Sequence, residues 1–236
     1  MKDFYQLTFS DLGIICFVVR APIEKLNWLT NEESVSWVFR IYRRKRIDWL
    51  SSRIAAKAAA IKWLEINYKL ELLPKLINIF NADSGMPHLK WPLDIRTPNL
   101  SISHKNDIGV ASVSGTNIFH GCDIEFIKER QPGFSTYFLS SYEKELWFKN
   151  EVKVNNEIVE KKCIETMLWS AKESIIKAIL STETSMGNIN MVHIFLKPIK
   201  QDYNNLPQFS FSYKNFQGIG KWVFIKDYVV TLSLLD

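Results

Sequence analysis

Apolar and polar residues alternate in several short stretches of this chain and recur at helical spacing in two long ones. Residues 12–19, LGIICFVV, make an apolar run of strand length, and a turn-like RAPIEKLNW follows. From about Asn31 to about Tyr68 the spacing predicts helix with one break, and Leu50, Ile54, Ala58 and Ile61 share a face. A Gly-Pro turn, SGMPHLKWP, leads into two short strands, LSISH (100–104) and IGVASVSG (108–115), joined through HKND. FHGCDIEF begins another strand, and QPG (131–133) breaks the chain. SSYEKELW (140–147) starts a helix, with Ser140 or Ser141 as its cap and Glu143 in the first turn. KNEVKVNNEIVEKK reads as a polar surface excursion. A strong helix is expected over 163–180, and FSFSYKNF, GKWVFIKD and YVVTLSLL then read as a strand meander.

The order strand, helices, strands therefore occurs twice. It predicts an α+β protein of two similarly folded halves, residues 1–117 and 118–236, in a pseudo-twofold arrangement with any site at their junction. Composition agrees with a folded chain: 236 residues, 47% hydrophobic and 23% charged. The net charge of +5 favours anionic partners without choosing among them. Cys16, Cys122 and Cys163 follow no disulfide or metal spacing, which points to a reducing cytoplasm. The first ten residues lack the apolar core of a signal peptide, and no apolar run is long enough to span a bilayer.

Three clusters carry candidate chemistry. In GCDIEFIKER (121–130) Asp123 and Glu125 share one strand face, while Cys122, Ile124 and Phe126 share the other. By itself the acid pair fits the wet face of a strand as well as a site for a hard divalent cation. In WSAKESIIK (169–177) Glu173 and Lys177 stand one helical turn apart, as a surface ion pair or as a carboxylate and ammonium serving a metal-bound phosphate. Arg46, Arg53 and Lys57 lie on one face of the first long helix, behind Arg40, Arg43, Arg44 and Lys45. No acid within that turn offsets Arg53 and Lys57, so a solvated basic helix and an external anion both remain open. Ser103 and His104 sit at a strand-to-loop edge. Hydrolase, P-loop, dinucleotide and zinc patterns are absent.

LSISH, GCDIE and WSAKESIIK, in this order and at these separations, resemble the three signature blocks of the 4′-phosphopantetheinyl transferases. The length and two-half layout are similar to the surfactin-type (Sfp-like) branch, as are the upstream basic helix RKRIDWLSSRIAAKAA and the SGMP turn. The resemblance runs from about Arg40 to Leu180. It implies transfer of the phosphopantetheine arm of coenzyme A to a serine of an apo-carrier protein (acyl, peptidyl or aryl), releasing 3′,5′-ADP. It implies Mg²⁺, or Mn²⁺ in its place, on Asp123, Glu125 and Glu173, with Glu173 also the base for the carrier serine. Lys177 matches the pyrophosphate lysine, and Ser103 and His104 match the pair that binds coenzyme A phosphates. Arg46, Arg53 and Lys57 match the basic helix that meets the 3′-phosphate, and Gly85 and Pro87 the adenine side.

Two positions depart from the family pattern. Met86 stands where a basic residue is common, with Lys90 as a substitute, and Cys122 replaces Val or Ile before the aspartate. The carrier is expected against residues 126–138, through Lys128, Arg130, Phe134 and Tyr137. A cytoplasmic monomer without nucleic-acid or membrane partners follows. The alternatives are a carrier-binding homologue without catalysis and a Mg²⁺-dependent nuclease; for the nuclease, Lys128 stands one residue out of phase with the acid face.

Overall fold

The computed structural model describes residues 4–9, 13–21, 23–40, 43–149, 152–154, 157–182, 188–199 and 208–236. Leu12, four residues of the polar excursion (150, 151, 155 and 156) and the break between the first two helices (41–42) lie outside them. The first sheet comprises β1 (Phe4–Phe9), β2 (Ile14–Val19), β5 (Asn99–Lys105) and β6 (Ile108–Ser114), antiparallel in the order β1-β2-β6-β5. Its helices are α1 (Asn31–Val38) and α2 (Arg43–Tyr68), and a hairpin of β3 (Asn78–Asn81) and β4 (Pro87–Lys90) flanks it. The second sheet has the order β10-β11-β12-β13-β7. Its strands are β7 (His120–Phe126), β10 (Phe195–Pro198), β11 (Gln208–Tyr213), β12 (Phe216–Ile225) and β13 (Tyr228–Leu235). Helices α3 (Ser141–Phe148) and α4 (Lys161–Leu180) belong to this part, with a two-residue hairpin, β8 (Lys153–Val154) and β9 (Glu157–Ile158), between them.

The mixed α+β expectation holds, and the strands read from alternation are present. The structure adds β1, β3, β4, β10 and, within the polar excursion, β8 and β9; the turn-like segment after β2 is a 3-10 helix over Ile23–Trp28. Alternation along β2 and β6 explains the layering. Ile15, Val19, Ala111 and Val113 face α2, with its buried Leu50, Ile54, Ala55 and Ala59. Ile14, Cys16, Val18, Ile108 and Val110 face the other way and meet Cys122, Ile124, Val230 and Leu232 of the second sheet. Two glycines allow close helix approach. A Cβ on Gly109 would come within 2.2 Å of the Ser52 nitrogen in α2, and one on Gly121 within 1.9 Å of the Ser174 carbonyl oxygen in α4.

One local device occurs twice. Thr30 caps α1 in a capping box with Glu33, whose carboxylate is ion-paired to Lys57 of α2 at 2.6 Å and accepts from the Ile79 nitrogen. Ser140 caps α3 in a capping box with Glu143, which pairs with Lys172 of α4 at 2.9 Å and accepts from the Leu196 nitrogen. Both lysines are fully buried and spend their remaining donors on carbonyls, Pro74 and Ile77 for Lys57, Phe138 and Met191 for Lys172. Buried charges persist only when paired and hydrogen-bonded in this way. Among the described residues, no helix is long and apolar enough to cross a membrane.

His120 opens β7 and is buried, its Nε2–H donating to the Ser112 carbonyl at 3.1 Å and its Nδ1 lying 2.8 Å from the Ser114 hydroxyl. Burial pushes its pKa down from 6.5 to about 4, against the two carbonyl contacts that favour the charged form. Across that window only the unfolded chain takes up the proton, so stability falls as the pH drops from about 6.5 to about 4. The expected loss is about 3 kcal/mol. Urea unfolding of wild type and His120→Gln at pH 7 and pH 4.5 should show this loss in the wild type alone.

Candidate functional site

The acid face of β7 is buried, with Asp123 and Glu125 only 4% and 8% exposed. Both point away from the cluster between the sheets, as the strand period requires. Asp123 is clamped. Its Oδ1 accepts from the Ser103 hydroxyl of β5 at 2.7 Å and from the Lys177 ammonium of α4 at 2.8 Å. Its Oδ2 accepts from the Ser170 hydroxyl at 2.9 Å, and Ser170 in turn accepts from Thr231 on β13. Lys177 also donates to the Cys122 carbonyl.

Glu125 faces cations instead. Lys105 lies 2.9 Å from Oε1 and 2.8 Å from Oε2, and Arg130 lies 3.3 Å from Oε2. Glu173, half-buried on α4, receives no hydrogen bond from a described residue. Burial raises its pKa, and the charges of Asp123 and Glu125 raise it further, while Lys177 and Lys105 pull the other way. Glu173 thus lies within electrostatic range of both acids of β7. Burial opposes the charge on Lys177, but Asp123, with help from Glu173, outweighs it and holds the ammonium above its ordinary value. The expected partner of Lys177 on the helix surface, Glu173, is thus replaced by Asp123 of β7.

No three His, Cys, Asp or Glu side chains stand at metal-binding geometry among the described residues. Asp123, Glu125 and Glu173 offer only carboxylate oxygens, the donor type a hard divalent cation takes.

His104, at the exposed end of β5, is held below the usual imidazole range, first by partial burial and then by the positive charges of Lys177 and Arg53. Asp48 and Asp123 act in the opposite direction. Next to Lys177 a cavity of about 190 Å³ opens beneath the β3–β4 turn, lined by Gly85, Met86 and Pro87 with Ser101, Lys177 and Ser181. Gly85 sits at φ +86, a left-handed conformation that suits glycine. A smaller cavity of about 140 Å³ adjoins Met86 and Pro87 and is lined by Arg96. Lys90, expected to substitute for the basic residue absent at 86, lines a different and larger cavity beside Thr30, Lys75 and Trp91.

On α2 and in the segment before it, guanidinium groups lie over indole rings. Arg53 lies 5.0 Å and Arg40 4.8 Å from the Trp49 ring, and Arg46 lies 4.8 Å from Trp37, itself 6.4 Å from Trp49. The Nε atoms of all three arginines are buried without a hydrogen-bond partner. Burial pushes Arg53 down to about 10, with Glu33 opposing the shift and Arg40 adding to it.

Lys57 requires correction. It lies on the same helix, yet its ammonium is enclosed and committed to Glu33 and two carbonyls, so it offers nothing to a ligand. The acid that offsets it comes from α1, not from its own helical turn. Of the expected docking residues, Lys128 and Tyr137 are exposed. Arg130 is bound to Glu125, and Phe134 packs on Trp169. Sequence reasoning missed Ser170, Lys105, Arg96 and the Trp37–Trp49 platform. Ser101, Ser103 and Lys105 alternate along β5, the one signal that could have found Lys105.

Lys57→Met should destabilise the unliganded protein by about 3–5 kcal/mol, because Glu33 is left buried and unpaired. Adding Glu33→Gln, which removes the charge and keeps one acceptor oxygen for the Thr30 or the Ile79 nitrogen, should recover part of that loss. Thermal melts decide the matter, since a lysine serving only a ligand would leave the unliganded melt unchanged.

A search of curated proteins finds no match to the chain. Residues 120–233 match the family model of the 4′-phosphopantetheinyl transferase superfamily, ACPS. The matched stretch begins at β7 and ends in β13, and so includes Asp123, Glu125, Glu173 and Lys177. Residues 120–233 thus form a 4′-phosphopantetheinyl transferase superfamily domain.

Proposed function

We propose that this protein is a surfactin-type transferase that moves the 4′-phosphopantetheine arm of coenzyme A to a serine hydroxyl of an apo-carrier protein. The observation that carries this reading is the Asp123–Lys177 pair, whose lysine lines the cavity under Gly85–Pro87, in a matched stretch that also holds Glu125 and Glu173. The residues that would hold Mg²⁺ are Asp123, Glu125 and Glu173. When bound, the ion supplies Lewis-acid neutralisation of pyrophosphate oxygens.

The chain's own groups do the rest. Glu173 takes the serine proton; the serine oxygen bonds to the pantetheine-side phosphorus, and the bond to 3′,5′-ADP breaks with its electron pair on the leaving phosphate. Lys177 and His104 offset the charge that builds on that phosphate. The carboxyl of Glu173 must be ionised to act; without a ligand, burial and the charges of Asp123 and Glu125 oppose that ionisation, and Lys177 and Lys105 favour it. Ser103 serves by fixing Asp123.

Arg46 and Arg53, joined by Arg40, receive the 3′-phosphate; their buried, unpartnered Nε atoms support this. Gly85 and Pro87 border the adenine, with Arg96 in the part expected of a basic residue at 86. The repeated Glu–Lys locks support two related halves, about 1–117 and 118–236, with the site at their junction. Free Cys16, Cys122 and Cys163 suit a cytoplasmic enzyme, and we take it as a monomer.

The test is incubation with coenzyme A, Mg²⁺ and a panel of apo-carriers, followed by intact mass spectrometry. One added phosphopantetheine on at least one carrier is expected. Modification of none would overturn the reading, and carrier capture without modification would favour the non-catalytic alternative. Glu173→Gln should keep its fold by circular dichroism and lose about 10²–10⁴-fold in kcat. A rate within a few-fold of wild type would remove Glu173 as the base.

A further inference from the structure

We propose that Lys105 is an internal counterion that competes with a divalent cation for Glu125 and so weakens metal binding to the free protein. The inference rests on the metal set assigned above. Its ground is the register between β5 and β7. Ser101 accepts from the Cys122 nitrogen at 2.9 Å, Ser103 donates to Asp123, and Lys105, two residues further on, reaches Glu125. The ammonium covers both carboxylate oxygens, at 2.9 and 2.8 Å. A divalent ion of the Mg²⁺ kind needs an oxygen at about 2.1 Å, which an ammonium bound to both oxygens denies it.

Charge tells the same story. Lys105 and Arg130 pair with Glu125 and Lys177 pairs with Asp123, so both acids of β7 already have a counter-charge from the chain itself.

The backbone that carries Lys105 is fixed. The β5–β6 turn places Asn106 and Asp107 in the left-handed region, at φ 50 and 67. Asp48 of α2 accepts from the Asp107 nitrogen at 2.6 Å, and Ser51 donates to its carbonyl at 2.7 Å. The Lys105 side chain is 32% exposed, so it can leave Glu125 by rotating into solvent while the strand stays in place. Lys177 differs: it is held by Asp123 and the Cys122 carbonyl together. Lys105 is therefore the cation that yields when a metal arrives.

The test measures Mn²⁺ binding to the whole protein by electron paramagnetic resonance, for wild type, Lys105→Met, Lys105→Gln and Lys105→Arg, with Asp123→Asn as the site control. The two neutral variants, confirmed as folded by near-ultraviolet circular dichroism, should bind Mn²⁺ about tenfold more tightly than wild type. Lys105→Arg keeps the competing charge and should stay within about twofold of wild type. The use of two neutral variants guards against loss of fold in one. Equal or weaker binding in the neutral variants, with wild type still binding, overturns the role of Lys105 alone. Absence of Mn²⁺ binding in every variant overturns both this role and the metal set beneath it.

Discussion

A carboxylate buried where two sheets and a helix meet has to be compensated, and Asp123 is compensated from both sides. Ser103 reaches it from β5 of the first sheet, and Ser170 and Lys177 reach it from α4 over the second. Leaving a buried charge short of donors is expensive, so the carboxylate ties β5, β7 and α4 into one relative position. The close approach this requires depends on Gly121, because any larger residue there would run into the α4 backbone. Everything else at the site inherits its place from this clamp. Glu125 follows two residues along the strand, Lys105 follows Ser103, and Glu173 lies one helical turn before Lys177.

The helices that carry these groups are held by a second kind of buried charge. Glu33 and Glu143 each close a capping box, then reach past it to a lysine with no exposure on the neighbouring long helix. Such pairs contribute little net stability against an apolar substitute, but they fix geometry, since only one arrangement satisfies every donor. Here the geometry fixed is the angle and depth of α2 and α4. That makes the locks part of the site's precision although neither faces it.

The pattern of apolar positions revealed β2, β5, β6, β7 and the C-terminal meander; β2 and β6 show as nearly unbroken apolar runs because they are buried on both faces, against α2 and against the second sheet. It was silent on β3 and β4, four residues apiece around a glycine turn, and on β10, which ends in proline. The shared strand face of Asp123 and Glu125 was legible from their spacing. Lys57 misled because helical spacing aligned it with Arg53, while its true partner lies 24 residues upstream on another helix. Ser170 and Lys105 escaped notice for the complementary reason. Their roles depend on a register between β5, β7 and α4 that no local pattern encodes.

The two ends of the site differ electrostatically, and the difference gives it a direction. Around β7 the cations and carboxylates neutralise each other, so the groups there are stable without a ligand. Around α2 they are not. Arg40, Arg46 and Arg53 stack on Trp37 and Trp49, and burial alone lowers Arg40 and dominates the shift of Arg53. Stacking on indole supports each guanidinium plane and leaves the buried Nε atoms without a partner, while one terminal nitrogen of Arg46 donates to the Trp37 carbonyl. An incoming polyanion therefore meets its strongest unsatisfied attraction at α2. His104, which senses both Arg53 and Lys177, lies between that end and the acids. On the proposed function, the 3′-phosphate of coenzyme A would anchor there first, and its pyrophosphate would then be drawn towards Lys177, beside the Lys105–Glu125 pair.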